Sequence, residues 1–280
     1  MAKKRPGKLF IIGGGEDREG EMKILSEFAQ AVGDGKLCVV TIASSVGDEL
    51  WEIYHKAFKK LGIKKISHLD VVHRSEVADM KAMKTVKDAD AVFFTGGDQL
   101  RITSEMGGTM VAERIHEIHK NGGVIGGTSA GASVMGQIMM VSGSSEKSFR
   151  IGNDLKMAPG LGFTPSLLID QHFAERGRIG RLIVATAHNP GFLGVGIDEN
   201  TAIVYHGDCF EVLGEGAVYV LDGHDSSGIN ISEQYLDKTL SIYNIRMHVL
   251  SERDKFHIPK RTPIKYEPDM PGEAHERKEA

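Results

Sequence analysis

Two cysteines, one tryptophan and eight prolines are all that 280 residues hold of these types, and long hydrophobic runs are missing altogether. Cys38 and Cys209 stand far apart with no C-x-x-C. A disulfide framework and a cysteine zinc site are therefore excluded, both thiols read as ordinary core residues, and a reducing, cytosolic compartment is expected. No proline- or serine-rich stretch marks a linker, so a single α/β domain is expected over 1–268, with a polar, frayed tail over 269–280. The apolar run inside the opening MAKKRPGKLFII is too short for a signal peptide, and no run is long enough to cross a bilayer. Neither sign of charge dominates: 34 Lys and Arg against 38 Asp and Glu leave −4. The basic residues are scattered, which argues against a nucleic-acid partner and against a membrane surface.

Glycine is the abundant residue, at 34 positions, and it sits in a rhythm. Short apolar runs at 9–12, 37–42, 65–69 and 91–94 alternate with segments at helical spacing, 22–32, 50–61, 76–87 and 109–121. This βαβα order predicts an α/β fold: a doubly wound, mostly parallel sheet, helices on both faces, ligands at the carboxyl ends of the strands. Residues 141–160, with many Gly, Ser and charged residues, read as a long loop bordering such a site. Runs at 166–169, 195–197, 202–205, 210–213 and 217–221, with a helix near 178–188, predict antiparallel additions toward the C-terminus.

Residues 122–133 read GGVIGGTSAGAS, an apolar strand that breaks at Gly127-Thr128-Ser129-Ala130-Gly131 and passes into helix-compatible sequence. A serine hydroxyl is a poor nucleophile at neutral pH. It needs a base beside it and a sharp strand-to-helix turn that exposes Oγ. This segment supplies such a nucleophile elbow, with Ala130 offering a backbone N–H to a developing oxyanion. The plainer alternative is a packing turn of small residues.

Thr95-Gly96-Gly97-Asp98-Gln99 follows the strand at 91–94 and so lies at the same sheet edge as Ser129. Gly97 can add a second oxyanion N–H there, and Gln99 can orient a scissile amide; otherwise the segment is a helix start capped by Asp98. Of twelve histidines, His55, His116 and His119 fall on expected exposed helix faces and His275 in the tail. His172, after the apolar run 167–169, is the best-placed base, unless it simply packs beside Phe173. Its orienting acid is Glu199, with Asp198 as fallback. Arg178 and Arg181, one helical turn apart, can fork a substrate carboxylate or be a solvated helix face.

Two further motifs fail. Gly13-Gly14-Gly15-Glu16-Asp17 has Arg18 where the third glycine of a dinucleotide fingerprint belongs, and Glu16 and Asp17 would repel a pyrophosphate. A tight turn placing both acids near the substrate is expected instead. His116-Glu117-Ile118-His119 spaces its histidines by three, not four, so no metal site is expected there and a solvated face is.

Taken together, TGGDQ, GGTSAGAS, LLIDQHFAERGRIGRL and GIDENTA, in this order and spacing, resemble the serine peptidase family that contains the cyanophycinases and peptidase E, the aspartyl dipeptidase. The resemblance implies a doubly wound α/β fold related to class I glutamine amidotransferases. It implies Ser129 as nucleophile, His172 as base, Glu199 as orienting acid, and Gly97 and Ala130 as oxyanion donors. Gln99, Asp170, Gln171, Arg178 and Arg181 would surround the substrate. The implied activity is hydrolysis of cyanophycin, a polyaspartate backbone bearing arginines, to β-Asp-Arg dipeptides, by a cytosolic homodimer without metal or organic cofactor. An aspartyl-arginine carboxylate suits the arginines and its guanidinium suits Asp170. The rivals are a peptidase-E-like aspartyl or isoaspartyl dipeptidase, an esterase or amidotransferase-like hydrolase, and a catalytically silent binding protein of the same fold.

Overall fold

Every residue of the strand Leu9–Ile12 (β1) is buried, but on two sides: Leu9 and Ile11 join one core, Phe10 and Ile12 another. The same division holds for Lys36–Val40 (β2), with Cys38 and Val40 facing Leu37 and Val39, and for Ala91–Phe94 (β4), with Val92 and Phe94 facing Ala91 and Phe93. Continuous apolar strands of this kind need cover on both faces. The computed structural model describes residues 5–71, 73–77, 79–143, 150, 155–231 and 238–264; the expected tail at 269–280 lies outside them.

Helices Lys23–Val32 (α1) and Gly47–Lys60 (α2) cover one face. There Phe28 is fully buried among the rings of Phe10, Phe58 and Phe93, 5.3 to 5.6 Å away. Truncating such a ring to alanine costs about 3–5 kcal/mol. The strand Lys65–Leu69 (β3) is followed by Arg74–Val77 (α3) and Met80–Lys87 (α4), where the sequence predicts one helix over 76–87. Gln99–Met106 (α5), Met110–Lys120 (α6), the elbow strand Val124–Thr128 (β5) and the four-residue helix Ala130–Ser133 (α7) come next. Residues of α3 to α7 fill the opposite core.

Part of the segment expected to be a long loop is paired: Ile138–Ser142 (β6) and Lys156–Pro159 (β7) form an antiparallel ribbon. Met139 and Met140 are buried by it, which explains why the chain spends backbone pairing here despite the polar residues between. After Leu167–Gln171 (β8), Ile179–His188 (α8), Leu193–Ile197 (β9), Thr201–Tyr205 (β10), Cys209–Gly214 (β11) and Val218–Asp222 (β12) come Arg246–Leu250 (β13), Lys255–His257 (β14) and Thr262–Ile264 (β15).

The principal sheet has nine strands in the order β15-β14-β11-β10-β1-β5-β4-β2-β3. From β1 to β3 its pairings are parallel; from β1 outward through β10 they are antiparallel. One feature departs from a single sheet. β1 is flanked by β5 and β10, so β8 has no edge to join there, and β8 and β9 pair in parallel within a separate sheet, β13-β12-β9-β8. That sheet buries Leu167, Ile169, Val195 and Val218 in the same core as Leu9 and Ile11, while α8 covers its far side through Leu182 and Ala185. The carboxyl ends of β1, β5 and β8 are thereby brought together.

Candidate active site

Thr128 closes β5 opposite Ile12, and the next residue turns sharply: Ser129 has φ 54° and ψ −113°, with its N–H donated to the Ile12 carbonyl at 3.1 Å. A non-glycine residue held there stores about 1–3 kcal/mol of strain. The turn is so tight that a Cβ on Gly127 would lie 2.4 Å from the Gly131 carbonyl oxygen, which is why small residues flank the serine. Ser129 stays half-buried while Ala130 and Thr128 are closed off.

His172 follows β8 and also has a positive φ, 46°; its N–H is donated to the Gly13 carbonyl at 2.7 Å. Its Nε2 is 2.9 Å from Ser129 Oγ, and its Nδ1 is 2.5 Å from Glu199 Oε1. A carboxylate at Nδ1 fixes the tautomer that leaves Nε2 free to accept a proton from the hydroxyl. The neighbouring acid does something else. Asp198, 7% exposed, accepts from the N–H groups of Ala174 at 2.9 Å and Ala217 at 3.1 Å, so it ties the chain after His172 to the loop before β12.

The turn after β4 forms the adjoining wall. A Cβ on Gly96 would lie 3.4 Å from Ser129 Cβ and 3.8 Å from its Oγ. Gly97 faces the Ala43 carbonyl, and Asp98 caps α5 by accepting from Leu100 N–H at 2.8 Å. Gln99 points its amide nitrogen at the β6 carbonyls of Met140 and Val141, at 3.0 and 3.2 Å. These bonds use its Nε2, so the ribbon β6–β7 orients the side chain.

Two residues expected around the substrate are partnered with each other within the protein. Asp170, 1% exposed at its side chain, takes Arg181 in a bidentate grip, with Nε–Oδ2 2.7 Å and Nη2 on Oδ1, and takes Arg178 Nη1 at 3.2 Å. The carboxylate is thus paired inside the protein, and Arg181, 7% exposed, is turned onto it. Burial is the reason: β8 carries Asp170 into the core, where only charge partners make it tolerable. Arg178 also donates Nη1 to the Gln171 carbonyl at 2.5 Å and to Gln171 Oε1 at 3.0 Å. Burial, opposed by Asp170 and assisted by Arg181, brings its guanidinium down to about 10. Among the described residues, two guanidiniums against one carboxylate give this cluster a net positive charge.

Three other expectations are corrected. Glu16 does not face a substrate; it is 3% exposed, with Oε1 accepting from Tyr54 O–H and Oε2 from Thr128 O–H at 2.5 Å. Asp17 folds onto its own loop, accepting from the N–H groups of Glu19, Gly20 and Met22, and these bonds hold its carboxyl down at about 2. His119 is not on a solvated face but 8% exposed, its Nε2 3.0 Å from the Gly7 carbonyl and its ring edge-on to Phe163, which His116 stacks upon at 4.3 Å. Cys38 is sealed in the core and burial pushes its thiol up to about 12, so it is inert.

Sequence reasoning missed the wrapping of the site by the first turn. A Cβ on Gly14 would lie 2.3 Å from His172 Cε1, and one on Gly15 2.8 Å from Glu199 Oε2. The three consecutive glycines were the available signal. They mark a backbone pressed against side chains, not a phosphate.

A model described as peptidase family S51 matches residues 9–213. Cyanophycinase of Synechococcus elongatus is 35% identical over 256 residues, which cover 90% of this chain and 79% of the relative. Cyanophycinase of Geminocystis herdmanii is 36% identical over 260 residues, 91% of this chain and 95% of the relative. A solved structure of a peptidase from an acI-B1 actinobacterium superposes with TM-score 0.64 at 24% identity, over 79% of this chain and 93% of that one, a likeness of fold.

Proposed function

The chain belongs to peptidase family S51, and we propose that within it the protein is a cyanophycinase, a serine exopeptidase that releases β-Asp-Arg dipeptides from cyanophycin. The observation that carries the chemistry is the unbroken line Ser129 Oγ, His172, Glu199, at 2.9 and 2.5 Å. The relatives that carry the substrate's name, matched over 79% and 95% of their own length, support the choice of polymer.

In this reading His172 Nε2 takes the proton of Ser129 as Oγ bonds to the carbonyl carbon of a backbone Asp–Asp amide. The carbonyl electron pair moves to oxygen, where the N–H groups of Ala130 and Gly97 receive it. His172 hands the proton to the leaving nitrogen, the C–N bond breaks, and an ester on Ser129 remains. Water then gives a proton to His172 and attacks that ester, and the proton returns to Ser129. Glu199 offsets the imidazolium at both stages. Gln99 Oε1, Gln171 and Arg178 line the approach, and the net positive charge around Asp170 favours the carboxylates of the substrate. No metal or organic cofactor takes part in these steps. A cytosolic homodimer accompanies the proposal, the compartment supported by two thiols left free; sedimentation of the purified chain checks the dimer.

One observation favours a second reading. Asp170, the acid expected to meet the substrate's arginine, is bound to Arg181, which suits a peptidase-E-like enzyme acting on aspartyl or isoaspartyl dipeptides. Incubation with cyanophycin and, separately, with isoaspartyl dipeptides, followed by mass spectrometry, decides between them. Release of β-Asp-Arg from the polymer supports the first; cleavage of dipeptides alone supports the second; an inert chain whose Ser129 resists a fluorophosphonate rejects both.

A further inference from the structure

Glu16 is a buried acid that the chemistry above leaves unused. Its carboxylate is held by two hydroxyl donors, Tyr54 from α2 and Thr128 from the end of β5. Taking an acid out of water is costly unless hydrogen bonds and nearby positive charge offset it; here the Arg18 guanidinium stands over the Tyr54 ring, 5.6 Å from its centre, on the tyrosine side of the acid. What the acid does supply is direction. Thr128 is covalently joined to Ser129, so the bond from Thr128 Oγ1 to Glu16 Oε2 fixes the peptide that enters the strained turn.

The loop that carries Glu16 touches the other two members of the line as well. The Gly13 carbonyl accepts from His172 N–H at 2.7 Å, and the Gly14 carbonyl from Asn200 N–H at 2.9 Å, while Asn200 Oδ1 accepts from Asp17 N–H at 3.1 Å. Residues 13–17 thus grip the backbone at or beside Ser129, His172 and Glu199, three segments that are remote in sequence. Glu16 is the only side chain of that grip that reaches the serine's strand.

We propose that Glu16, acting through Thr128, is a positioning residue: it clamps the elbow so that Ser129 Oγ sits on the His172 Nε2 axis. The proposal rests on the serine peptidase reading. Displacements of about 1 Å at a reacting atom cost about 10²-fold, and loss of a supporting hydrogen bond about 10- to 100-fold. A clamp of this kind acts on turnover and not on affinity, because the substrate never touches it.

The test compares E16Q, T128V and T128S as full-length proteins on cyanophycin, with melting temperature read in parallel. E16Q and T128V are each expected to lower kcat about 10- to 100-fold with KM within about 3-fold. T128S, which keeps the hydroxyl, should recover most of what T128V loses. The double variant E16Q/T128V should be little worse than E16Q alone, since the bond T128V removes is one of the two that E16Q disturbs. Should a variant fold poorly, the rate of Ser129 labelling by a fluorophosphonate, normalised to folded protein, replaces kcat. Full turnover in folded E16Q and T128V, or a loss expressed in KM alone, overturns the clamp while leaving the peptidase intact. A wild-type chain that neither hydrolyses the polymer nor labels at Ser129 overturns both.

Discussion

Ser129 Oγ and His172 Nε2 lie 2.9 Å apart although 43 residues separate them, and each residue is held at a positive φ, 54° and 46°. Strained backbone persists only where the surroundings over-determine it. Here they do so twice, on two different sheets, and the two side chains meet. If this contact is the catalytic one, Ser129→Ala and His172→Ala each lower kcat on cyanophycin by about 10⁴-fold or more, and the double variant is little worse than either. Dipeptide release measured against time, with circular dichroism to verify folding, decides it; near-native turnover in Ser129→Ala excludes the serine mechanism.

The two adjacent acids separate cleanly by what each should lose. Glu199 faces the imidazole, so Glu199→Gln is expected to reduce kcat by about 10²- to 10⁴-fold at unchanged stability. Asp198 holds two backbone N–H groups instead, so Asp198→Asn should cost about 1–3 kcal/mol in urea unfolding and comparatively little turnover per folded molecule. The reverse pattern would hand the orienting role to Asp198.

Legibility in the sequence followed the physics of each signal. The alternation of β1, β2 and β4 with α1, α2 and α6 was readable because a short continuous apolar run and helical spacing are local properties. The strand-to-helix break at Ser129 was readable because a tight turn demands small residues at fixed offsets. The ribbon β6–β7 was not, because pairing between Met139 and Ala158 is non-local and the intervening residues look like loop. The second sheet was invisible for the same reason: nothing in β8 says that β10 has taken the edge of β1. Asp170 and Arg181 look alike on paper whether they await a substrate or each other, and only burial distinguishes the cases.

Gly14→Ala tests the wrapping loop directly. Gly14 has φ 101°, and its missing side chain leaves room that the His172 ring occupies, with 2.3 Å between a built Cβ and Cε1. Backbone strain and ring displacement both follow from one methyl group. Turnover is expected to fall by about 10²-fold while the melting temperature drops only modestly; unchanged turnover would show that the ring tolerates the shift.

Stability should decline on mild acidification. Burial, only partly opposed by the bond to the Gly7 carbonyl, lowers the pKa of His119, and burial lowers that of His116 likewise. The folded pKa lies below the ordinary 6.5, so between the two values the unfolded chain binds more protons than the folded one. Stability from this pair is complete above pH 6.5 and is lost as pH falls through the folded values. Urea midpoints measured from pH 7.5 to 5 should drop, and His119→Gln should flatten the slope; a midpoint independent of pH in that window rejects the assignment.

The last prediction concerns an ordering within the buried ion cluster. Among the described residues Asp170 is the acid paired with both guanidiniums, so Asp170→Asn removes that counter-charge from Arg178 and Arg181 and should cost about 3–5 kcal/mol. Arg181→Ala is different, because Asp170 keeps Arg178 at 3.2 Å and Gln171 N–H at 2.9 Å. Its cost should be clearly smaller than that of Asp170→Asn, although it removes the shorter of the two ion pairs. A substrate-binding Asp170 predicts the opposite signature: KM for the polymer rises in Asp170→Asn and the unfolding midpoint stays put. Urea denaturation and steady-state kinetics on the same two variants therefore decide whether this acid holds the protein together or holds the substrate, and the 1% exposure of its side chain favours the former.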